Sequence, residues 1–391
     1  MAQSGKMDFR LRPARQERNH VRTTVAIIGG GLAGLYAARL LHAEGIDFKL
    51  MEARQRLGGR ILSADASGAA CEDGFDLGPS WFWPQMQPQM AGLARALGLA
   101  TFPQHNAGDV IFERMSRETS WRYRATHQQP QSMRLAGGTG VLIAALAKQL
   151  PRASVLIEAR VRRMAIGAEK VALTIAQADG SEDTLMAEQV IAALPPRLLA
   201  RVSFSPAVDP PTMQRWMETP TWMGPHAKFF AVYDRPFWRD AGLSGTAQSL
   251  VGPLGEIHDA TTASGQAALF GFPSVGAEAR AALGEAALAE SCLAQLARLY
   301  GPEALRPRAT LFKDWAADPL TASEADRTAG GHPQPFTAPW VTGAWQDRLS
   351  LGGSETGAIE PGYMAGAVNA AERAASEIVE RLRARAKNAG K

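Results

Sequence analysis

Three features of the 391-residue sequence predict an α/β fold with two domains. The chain is longer than the roughly 250–300 residues over which a single hydrophobic core usually grows. Near the N-terminus an apolar run, Thr24–Ile28, precedes a helical pattern over Leu32–Ala43 and a second apolar run, Phe48–Met51. This order is that of a strand–helix–strand unit with strands buried on both faces. Glycine turns that open helices return near residues 137 and 353, so one domain is predicted to combine separate chain segments.

The composition is that of a globular protein, with 46% hydrophobic and 20% charged residues and a formal charge of +4. Six basic and two acidic residues lie in the first 22 positions, without an apolar run, which predicts a flexible tail rather than a secretory signal. No stretch approaches roughly 18 consecutive apolar residues, so no membrane span is predicted. We therefore expect a cytoplasmic protein with no nucleic-acid partner. The sequence leaves the oligomeric state open.

Two cysteines, Cys71 and Cys292, lie far apart in the sequence. They predict free thiols in a reducing compartment rather than a disulfide framework. The seven histidines show no spacing typical of a metal site, and no metal is predicted.

Residues 29–34, Gly-Gly-Gly-Leu-Ala-Gly, match the pattern GxGxxG between a predicted strand and a predicted helix. Glu52 ends the next strand, 18 residues after Gly34. In this context the pattern indicates a dinucleotide site of a Rossmann-like fold. Gly29 permits the tight turn, Gly31 lets the backbone approach a pyrophosphate, and Gly34 lets the helix pack close to the sheet. Free N–H groups at Leu32 and Ala33 would face the phosphates, and Glu52 would accept hydrogen bonds from a ribose.

The residues after this unit indicate which dinucleotide binds. Glu52-Ala53-Arg54, followed by Gly58-Gly59-Arg60, resembles the second fingerprint of the flavin amine oxidase superfamily. The resemblance implies FAD as the cofactor, with Ala53, Arg54, Gly59 and Arg60 near it and Arg60 paired with a phosphate. Gly78, Pro79 and Ser80, after Asp76-Leu77, are similar to the loop that this family places at the flavin ring.

The similarity extends over most of residues 24–385 and identifies the flavin monoamine oxidase family. The further matching segments are Leu135–Gly138, Arg160-Val161, Ala192–Pro196, Met223–Lys228 with Tyr233 and Pro236–Trp238, Asp314-Trp315 with Asp318-Pro319, Gly353–Thr356 and Pro361–Ala367. This layout implies a Rossmann-like FAD-binding domain of discontinuous segments and an α+β substrate-binding domain with a mixed sheet and helices. The predicted boundaries are 1–23 for the basic tail, 24–80, 134–206 and 308–391 for the FAD-binding domain, and 81–133 and 207–307 for the substrate-binding domain.

The resemblance also implies roles for single residues. Lys228 would hold a water at the flavin and assist oxygen reduction, Tyr363 would form one wall of an aromatic cage, and Trp315 would lie near the substrate. Further cofactor contacts would come from Val161 at the adenine and from Gly353, Ser354, Glu355, Tyr363 and Met364 at the flavin end. A helix starting near Gly362 would aim its N-terminus at the flavin, where reduction places negative charge.

Two departures from the family pattern change the prediction. No cysteine lies between Trp315 and Gly353, where covalent members attach the flavin, so FAD is expected to bind non-covalently. Residues 316–335 contain no tyrosine, and Trp315 or Phe336 remain as candidates for the second cage wall. The sequence leaves open whether Trp81, Phe82 and Trp83 line the substrate pocket or belong to the hydrophobic core.

The predicted reaction is oxidation of a primary amine or polyamine to an imine, with O2 or another acceptor taking the electrons. The cofactor carries such chemistry, and the protein supplies orientation and polarity. One alternative is an L-amino-acid oxidase, which needs an arginine for the substrate carboxylate; Arg122 and Arg124 are the candidates. The other alternative is a flavin-dependent desaturase or dehydrogenase, or a flavin-binding scaffold without turnover.

Overall fold

The computed structural model describes residues 21–124, 130–328 and 331–389, so nearly all of the predicted tail at 1–23 lies outside the described residues. The strands are β1 (Val21–Ile28), β2 (Phe48–Met51), β3 (Ser63–Ala64), β4 (Phe75–Asp76), β5 (Thr101–Pro103), β6 (Asp109–Glu113), β7 (Trp121–Arg124), β8 (Met133–Leu135), β9 (Val155–Leu156), β10 (Arg160–Ile166), β11 (Val171–Ala176), β12 (Glu182–Ala192), β13 (Ser203–Ser205), β14 (Ala227–Tyr233), β15 (Leu243–Ser249), β16 (Leu254–Asp259), β17 (Ala267–Pro273), β18 (Ala309–Asp314) and β19 (Leu349–Leu351). The α-helices are α1 (Leu32–Ala43), α2 (Pro88–Ala96), α3 (Gly140–Lys148), α4 (Pro196–Leu199), α5 (Pro210–Glu218), α6 (Phe237–Asp240), α7 (Ala277–Leu283), α8 (Glu285–Tyr300), α9 (Glu324–Thr328) and α10 (Met364–Ala389).

The first sheet carries the predicted nucleotide unit. Its strand order is β13-β10-β11-β12-β1-β2-β9, with β19 also beside β12. The pairs β12–β1, β1–β2, β2–β9 and β12–β19 are parallel, whereas β10, β11 and β12 run antiparallel. Helices α1, α3 and α10 share one hydrophobic core with one face of this sheet. The predicted Rossmann-like α/β fold is therefore confirmed, and strands from distant segments meet in it because each supplies an apolar run.

The second sheet is mixed, with the order β18-β14-β17-β16-β15-β6-β7. Strand β18 pairs with β14, although the sequence places residues 308–391 in the FAD-binding domain. All seven residues of β14 are buried, so this strand requires hydrogen-bonding partners on both of its edges. The segment 309–314 therefore lies in the second sheet, and the domain boundary at residue 308 stays a prediction.

Other predicted elements differ in smaller ways. Strand β12 begins at Glu182 rather than near residue 189, and the last helix begins at Met364 rather than near Gly362. Strands β6, β7, β16 and β18 are absent from the sequence prediction. None of the helices in the described ranges has the length and apolar content that a membrane span requires.

Candidate active site

The glycine turn after β1 has the geometry that its sequence predicts. Gly29 has a φ of +107°, and a Cβ atom on it would lie 2.5 Å from the backbone oxygen of Ala193. A Cβ on Gly34 would lie 1.9 Å from the backbone oxygen of Gly29, so only glycine lets α1 pack this close to the turn. Gly31 differs, because a Cβ atom on it would meet its nearest neighbour, the backbone oxygen of Gly58, only at 3.8 Å, and Gly31 lines a cavity. The turn thus leaves a space beside Gly31 that a ligand can approach.

The N-terminus of α1 opens onto the same space. Gly31 is the N-cap, no side chain accepts a hydrogen bond there, and the first turn contains no acidic residue. The free N–H groups and the positive end of the helix dipole therefore remain available to an anion. Across the turn, Glu52 is almost fully buried and accepts hydrogen bonds from the N–H groups of Gly30 and Arg54, both at 2.8 Å. A phosphate-binding helix end beside a buried carboxylate fits a dinucleotide.

A cavity of about 530 Å³ runs from this turn to the second sheet. It joins Glu52 at one end with Lys228 and Phe272 at the other. Most of the residues predicted from the sequence line it: Gly29, Gly31, Leu32, Ala33, Glu52, Arg54, Gly59, Arg60, Gly78, Pro79, Ser80, Lys228, Trp315, Gly353, Ser354, Tyr363 and Met364. Four predicted residues are not among the lining residues. Gly34 packs against the turn at Gly29, Ala53 follows Glu52 in the chain, Val161 is a core residue of β10, and Glu355 forms an ion pair with Arg60.

Arg60, which the family resemblance pairs with a phosphate, donates hydrogen bonds to three residues of the protein. Its Nη1 donates to Glu355 Oε1 at 2.6 Å and to the backbone oxygen of Trp222 at 2.9 Å. Its Nη2 donates to Ser354 Oγ at 2.8 Å and to Glu355 Oε2 at 3.1 Å. Glu355 has no exposed surface, and its Oε1 also accepts the N–H of Trp222. The predicted phosphate and flavin ligands thus form a forked ion pair with each other, because a buried carboxylate needs a cation.

Arg54 also has a protein partner in the cavity wall. Its Nη2 donates to Asp318 Oδ1 at 3.0 Å and to Thr321 Oγ1 at 2.9 Å. Burial acts to raise the pKa of Asp318, but Arg54 and Lys313 outweigh it and hold this pKa below its usual range. Arg54 therefore joins the nucleotide end of the cavity to the segment that follows Trp315.

Lys228 lies on β14 and is buried at the cavity wall, as its apolar strand predicts. Its Nζ donates to the backbone oxygens of Asp76 and Gly78, at 3.0 and 2.6 Å, and to Ser80 Oγ at 2.9 Å. These three bonds use all donors of an ammonium group. A water bound to this amine would have to displace one of them. Burial lowers the pKa of Lys228 to about 7, against the opposing effect of Asp76.

Aromatic side chains surround Tyr363 at the cavity wall. Its ring centroid is 5.7 Å from that of Trp222 and 6.3 Å from that of Trp83. Trp315, one candidate for the second cage wall, also lines the cavity and donates its indole N–H to the backbone oxygen of Leu77. Phe336, the other candidate, packs against Trp340 in a separate surface groove. Phe336 is thus excluded by position.

The run Trp81-Phe82-Trp83 divides between the two interpretations that the sequence left open. Trp81 and Trp83 line the cavity, whereas Phe82 is 2% exposed and belongs to the first core. Extended backbone turns successive side chains to opposite sides, which explains the alternation.

Glu256, His226 and Trp222 line the cavity, although the sequence interpretation omits them. The pairing register places Glu256 of β16 opposite Phe272 of β17, and the register between β14 and β17 places Phe272 opposite Lys228. Glu256 and Lys228 therefore face the same side of the sheet, two strands apart, or about 10 Å.

His226 precedes Lys228 by two residues, and burial together with the nearby charge of Arg280 lowers the pKa of His226. Side chains two positions apart in extended backbone lie on the same face, so the spacing from Lys228 could have predicted that His226 lines the cavity.

Two family models match the chain. The model described as "Flavin containing amine oxidoreductase" matches residues 115–379, and the model described as "NAD(P)-binding Rossmann-like domain" matches residues 27–97. The first match covers more than half of the chain and includes Lys228, Trp315 and Tyr363.

Individual relatives agree with these models. "Probable flavin-containing monoamine oxidase A" of Dictyostelium discoideum is 31% identical over 267 residues, which are 66% of this chain and 55% of that protein. "L-amino acid dehydrogenase" of Synechocystis sp. is 28% identical over 273 residues, which are 66% of this chain and 54% of that protein. The matched region thus spans about half the length of both relatives.

The solved structure of a putrescine oxidase bound to putrescine is similar in fold. It has a TM-score of 0.76 and 22% sequence identity, and the match covers 93% of this chain and 100% of that one. The glycine turn, the cavity between two sheets and the family match agree with one another. The chain belongs to the family of flavin-containing amine oxidoreductases.

Proposed function

We propose that this protein uses non-covalently bound FAD to oxidise a primary amine or polyamine, with O2 as the electron acceptor. The overall reaction converts the amine, O2 and water to an aldehyde, ammonia and H2O2, through an imine that water hydrolyses. The observation that carries the proposal is a single cavity that joins a dinucleotide cradle to Lys228 and Tyr363. Bound FAD supplies the hydride acceptor, and the chain supplies binding and orientation.

The residues of the cradle support a non-covalent cofactor. The N-terminus of α1 and the backbone at Gly31 offer hydrogen bonds to phosphates, and Glu52 offers a carboxylate to a ribose. Met364 and Ala367, in the first turn of α10, line the cavity, so the positive end of this helix faces it as well. The sequence from Trp315 to Gly353 contains no cysteine that could attach the flavin.

The substrate end of the cavity favours an amine. Tyr363, Trp222 and Trp83 offer aromatic faces, which attract a cationic or polarised nitrogen and exclude water around it. Trp81 and Phe272 extend this apolar surface towards Glu256. The Glu256 carboxylate accepts a hydrogen bond from His258 Nε2 at 2.7 Å, and this hydrogen bond holds the pKa of Glu256 below its usual range. A fixed negative charge favours a substrate with a second cationic group, as in a polyamine.

The positions of the arginines weigh against an amino acid as substrate, although one relative is named an L-amino acid dehydrogenase. Arg54 and Arg60 line the cavity, but both guanidinium groups bind protein carboxylates. Arg122 and Arg124 lie on β7, at the outer edge of the second sheet, with exposed side chains.

Anaerobic reduction of the purified holoprotein tests the proposal. The probes are 2-phenylethylamine, 1,4-diaminobutane and L-leucine, and the readout is loss of the flavin absorbance, followed by H2O2 on addition of O2. Bleaching by either amine but not by L-leucine supports an amine oxidase. Bleaching by L-leucine alone refutes the proposal and favours the amino-acid oxidase.

Glu256→Gln distinguishes the two amine classes. Removing the charge should raise KM about two- to fivefold for 1,4-diaminobutane and leave KM for 2-phenylethylamine unchanged, because the Glu256 side chain is 51% exposed and a solvent-screened charge pair contributes about 0.2–1 kcal/mol. Glu278→Gln, at an exposed site on α7, is the matched control. Equal effects on both amines would remove the polyamine preference from the proposal.

A further inference from the structure

Gln87 is a buried amide that binds a residue of the cavity wall. It is 3% exposed and is the N-cap residue of α2, yet its side chain makes no capping hydrogen bond with that helix. Its backbone N–H donates to the backbone oxygen of Trp83 at 2.7 Å, and its Oε1 accepts the N–H of Trp83 at 3.3 Å. Gln87 therefore holds both backbone groups of Trp83, whose side chain lines the cavity.

Glu360 connects Gln87 to the loop that carries Tyr363. The Nε2 of Gln87 donates a hydrogen bond to Oε2 of Glu360. The orientation of the amide follows from its partners, because the backbone N–H of Trp83 can only donate and a carboxylate can only accept. The two side chains are 273 positions apart in the chain. Their hydrogen bond thus joins the segment of Trp83 to the segment of Tyr363.

The backbone at Glu360 has an uncommon conformation. Its φ is +50°, in the left-handed region that favours glycine, and Pro361 follows it. Its backbone oxygen accepts the N–H of Tyr363 at 3.2 Å, and a Cβ on Gly366 would lie 2.2 Å from this oxygen. Such a conformation persists only where the surrounding structure enforces it. The turn therefore sets the position of Glu360 relative to Tyr363 and the first turn of α10.

Trp83 and Tyr363 form an edge-to-face aromatic pair. Their ring centroids are 6.3 Å apart, and the angle between the ring planes is 84°. Aromatic rings prefer this arrangement to a face-to-face stack. Both rings line the cavity. Each ring belongs to a residue whose backbone is bound by one member of the pair Gln87 and Glu360.

We propose that Gln87 and Glu360 are positioning residues, whose hydrogen bond fixes Trp83 relative to Tyr363 and so shapes the aromatic wall that receives the amine. Neither residue is among the described residues that line the cavity, so both act through the two rings. The effect on Trp83 depends only on the contacts given above, whereas the effect on an amine rests on the proposed function.

Exchanging the amide and the carboxylate tests this hydrogen bond. Gln87→Glu brings two carboxylates together, which repel each other and leave Glu360 without its donor. Adding Glu360→Gln restores one carboxylate and one amide in exchanged positions: the carboxylate at 87 still accepts the N–H of Trp83, and the amide at 360 becomes the donor. Gln89→Glu, at an exposed position of α2, introduces the same charge as the matched control.

The first readout is the ¹⁹F resonance of Trp83 in holoprotein labelled with 5-fluorotryptophan. The sequence contains nine tryptophans, and the Trp83 signal is the one that Trp83→Phe abolishes. Gln87→Glu should displace this signal, the double variant should return it to the wild-type position, and Gln89→Glu should leave it in place. A signal that Gln87→Glu does not displace, or that the double variant does not restore, would overturn the proposal. If Gln87→Glu fails to fold, Glu360→Ala, which removes the acceptor, decides in its place.

The second readout is the affinity for α,α-dimethylphenethylamine, measured by perturbation of the flavin absorbance. This amine has no hydrogen on the carbon that bears the nitrogen, so it binds without being oxidised there. Its Kd should rise about two- to fivefold in Gln87→Glu, as expected for loss of one aromatic contact with a cation, and return to the wild-type value in the double variant.

The two readouts separate failure of this proposal from failure of the proposed function. A displaced Trp83 signal with unchanged amine affinity would overturn the proposal, because the rings would then not receive the amine. A signal that is displaced and restored, in a protein whose wild type binds no amine, would support the positioning of Trp83 and refute the proposed function.

Discussion

The ion pair between Arg60 and Glu355 gives the sharpest test of the site architecture. Glu355→Ala removes four contacts at once: two from Arg60, one from the N–H of Trp222 and one from Ser354 Oγ. It also leaves a guanidinium group at the cavity wall without its anion. Because Trp222 and Ser354 both line the cavity, the loss should loosen the wall as well as lower stability.

The magnitude follows from burial. Removing one partner of a buried ion pair costs about 3–5 kcal/mol, since the other charge remains desolvated. The Arg60 side chain is 24% exposed, so water can replace part of the lost interaction. We therefore expect Glu355→Ala to lower the free energy of unfolding by roughly 2–4 kcal/mol. The matched control is Glu44→Ala, which breaks a pair with Arg383 between two largely exposed side chains and should cost less than about 1 kcal/mol.

Urea unfolding of the FAD-free protein, followed by circular dichroism and tryptophan fluorescence, measures both variants. A cofactor-free measurement separates the stability of the pair from any contact with FAD. If Glu355→Ala costs no more than Glu44→Ala, the pair contributes little, and Arg60 is free to serve the phosphate as the sequence resemblance implies.

Four further predictions concern Gly34 of the glycine turn, Asp326 of α9, Lys228 of β14 and the attachment of FAD. Gly34→Ala should abolish measurable FAD binding in fluorescence titration, because its Cβ would lie 1.9 Å from a backbone oxygen, whereas Gly92→Ala, with nothing within 4 Å, should not. Burial acts to raise the pKa of Asp326, but hydrogen bonds from Ser323, Thr221 and Arg197 hold it below its ordinary value. The ionised form of Asp326 therefore stabilises the fold above about pH 4, and this contribution is lost as the pH falls below that value. Below about pH 4 the urea midpoint of Asp326→Asn should therefore depend less on pH than the urea midpoint of the wild type. Lys228→Met should slow reoxidation by O2 at least tenfold more than anaerobic reduction in stopped-flow traces, and equal slowing would contradict the role in oxygen reduction that the family resemblance implies for Lys228. Acid precipitation should leave the flavin in the supernatant, and a yellow pellet would disprove non-covalent attachment.

Local sequence was sufficient for the nucleotide cradle. Gly29 and Gly34 meet steric limits set by backbone atoms nearby in the chain or in the adjoining strand. Glu52 directly follows a strand, Phe48–Met51, whose position follows from its apolar run. Such features depend on short-range geometry, so a glycine pattern with a strand before it and a helix after it predicts them.

The partners of charged side chains were not predictable in this way. Arg60 and Glu355 are 295 positions apart, and nothing in either segment indicates that they meet. Glu256 lies on a strand that the sequence did not reveal, and its approach to Lys228 depends on the register of three strands. Phe336 lies within the segment expected to hold the second cage wall, yet chain packing places it in another groove.

The sequence by itself determined the α/β fold, the dinucleotide turn, the inward lysine and the family to which the chain belongs. Each of these features depends on residue types and on their spacing within short segments of the chain. Tertiary structure alone decided which charges are paired and which aromatic rings line the cavity beside Tyr363. These are contacts between distant segments, and their energies depend on burial and distance, which a linear pattern does not contain.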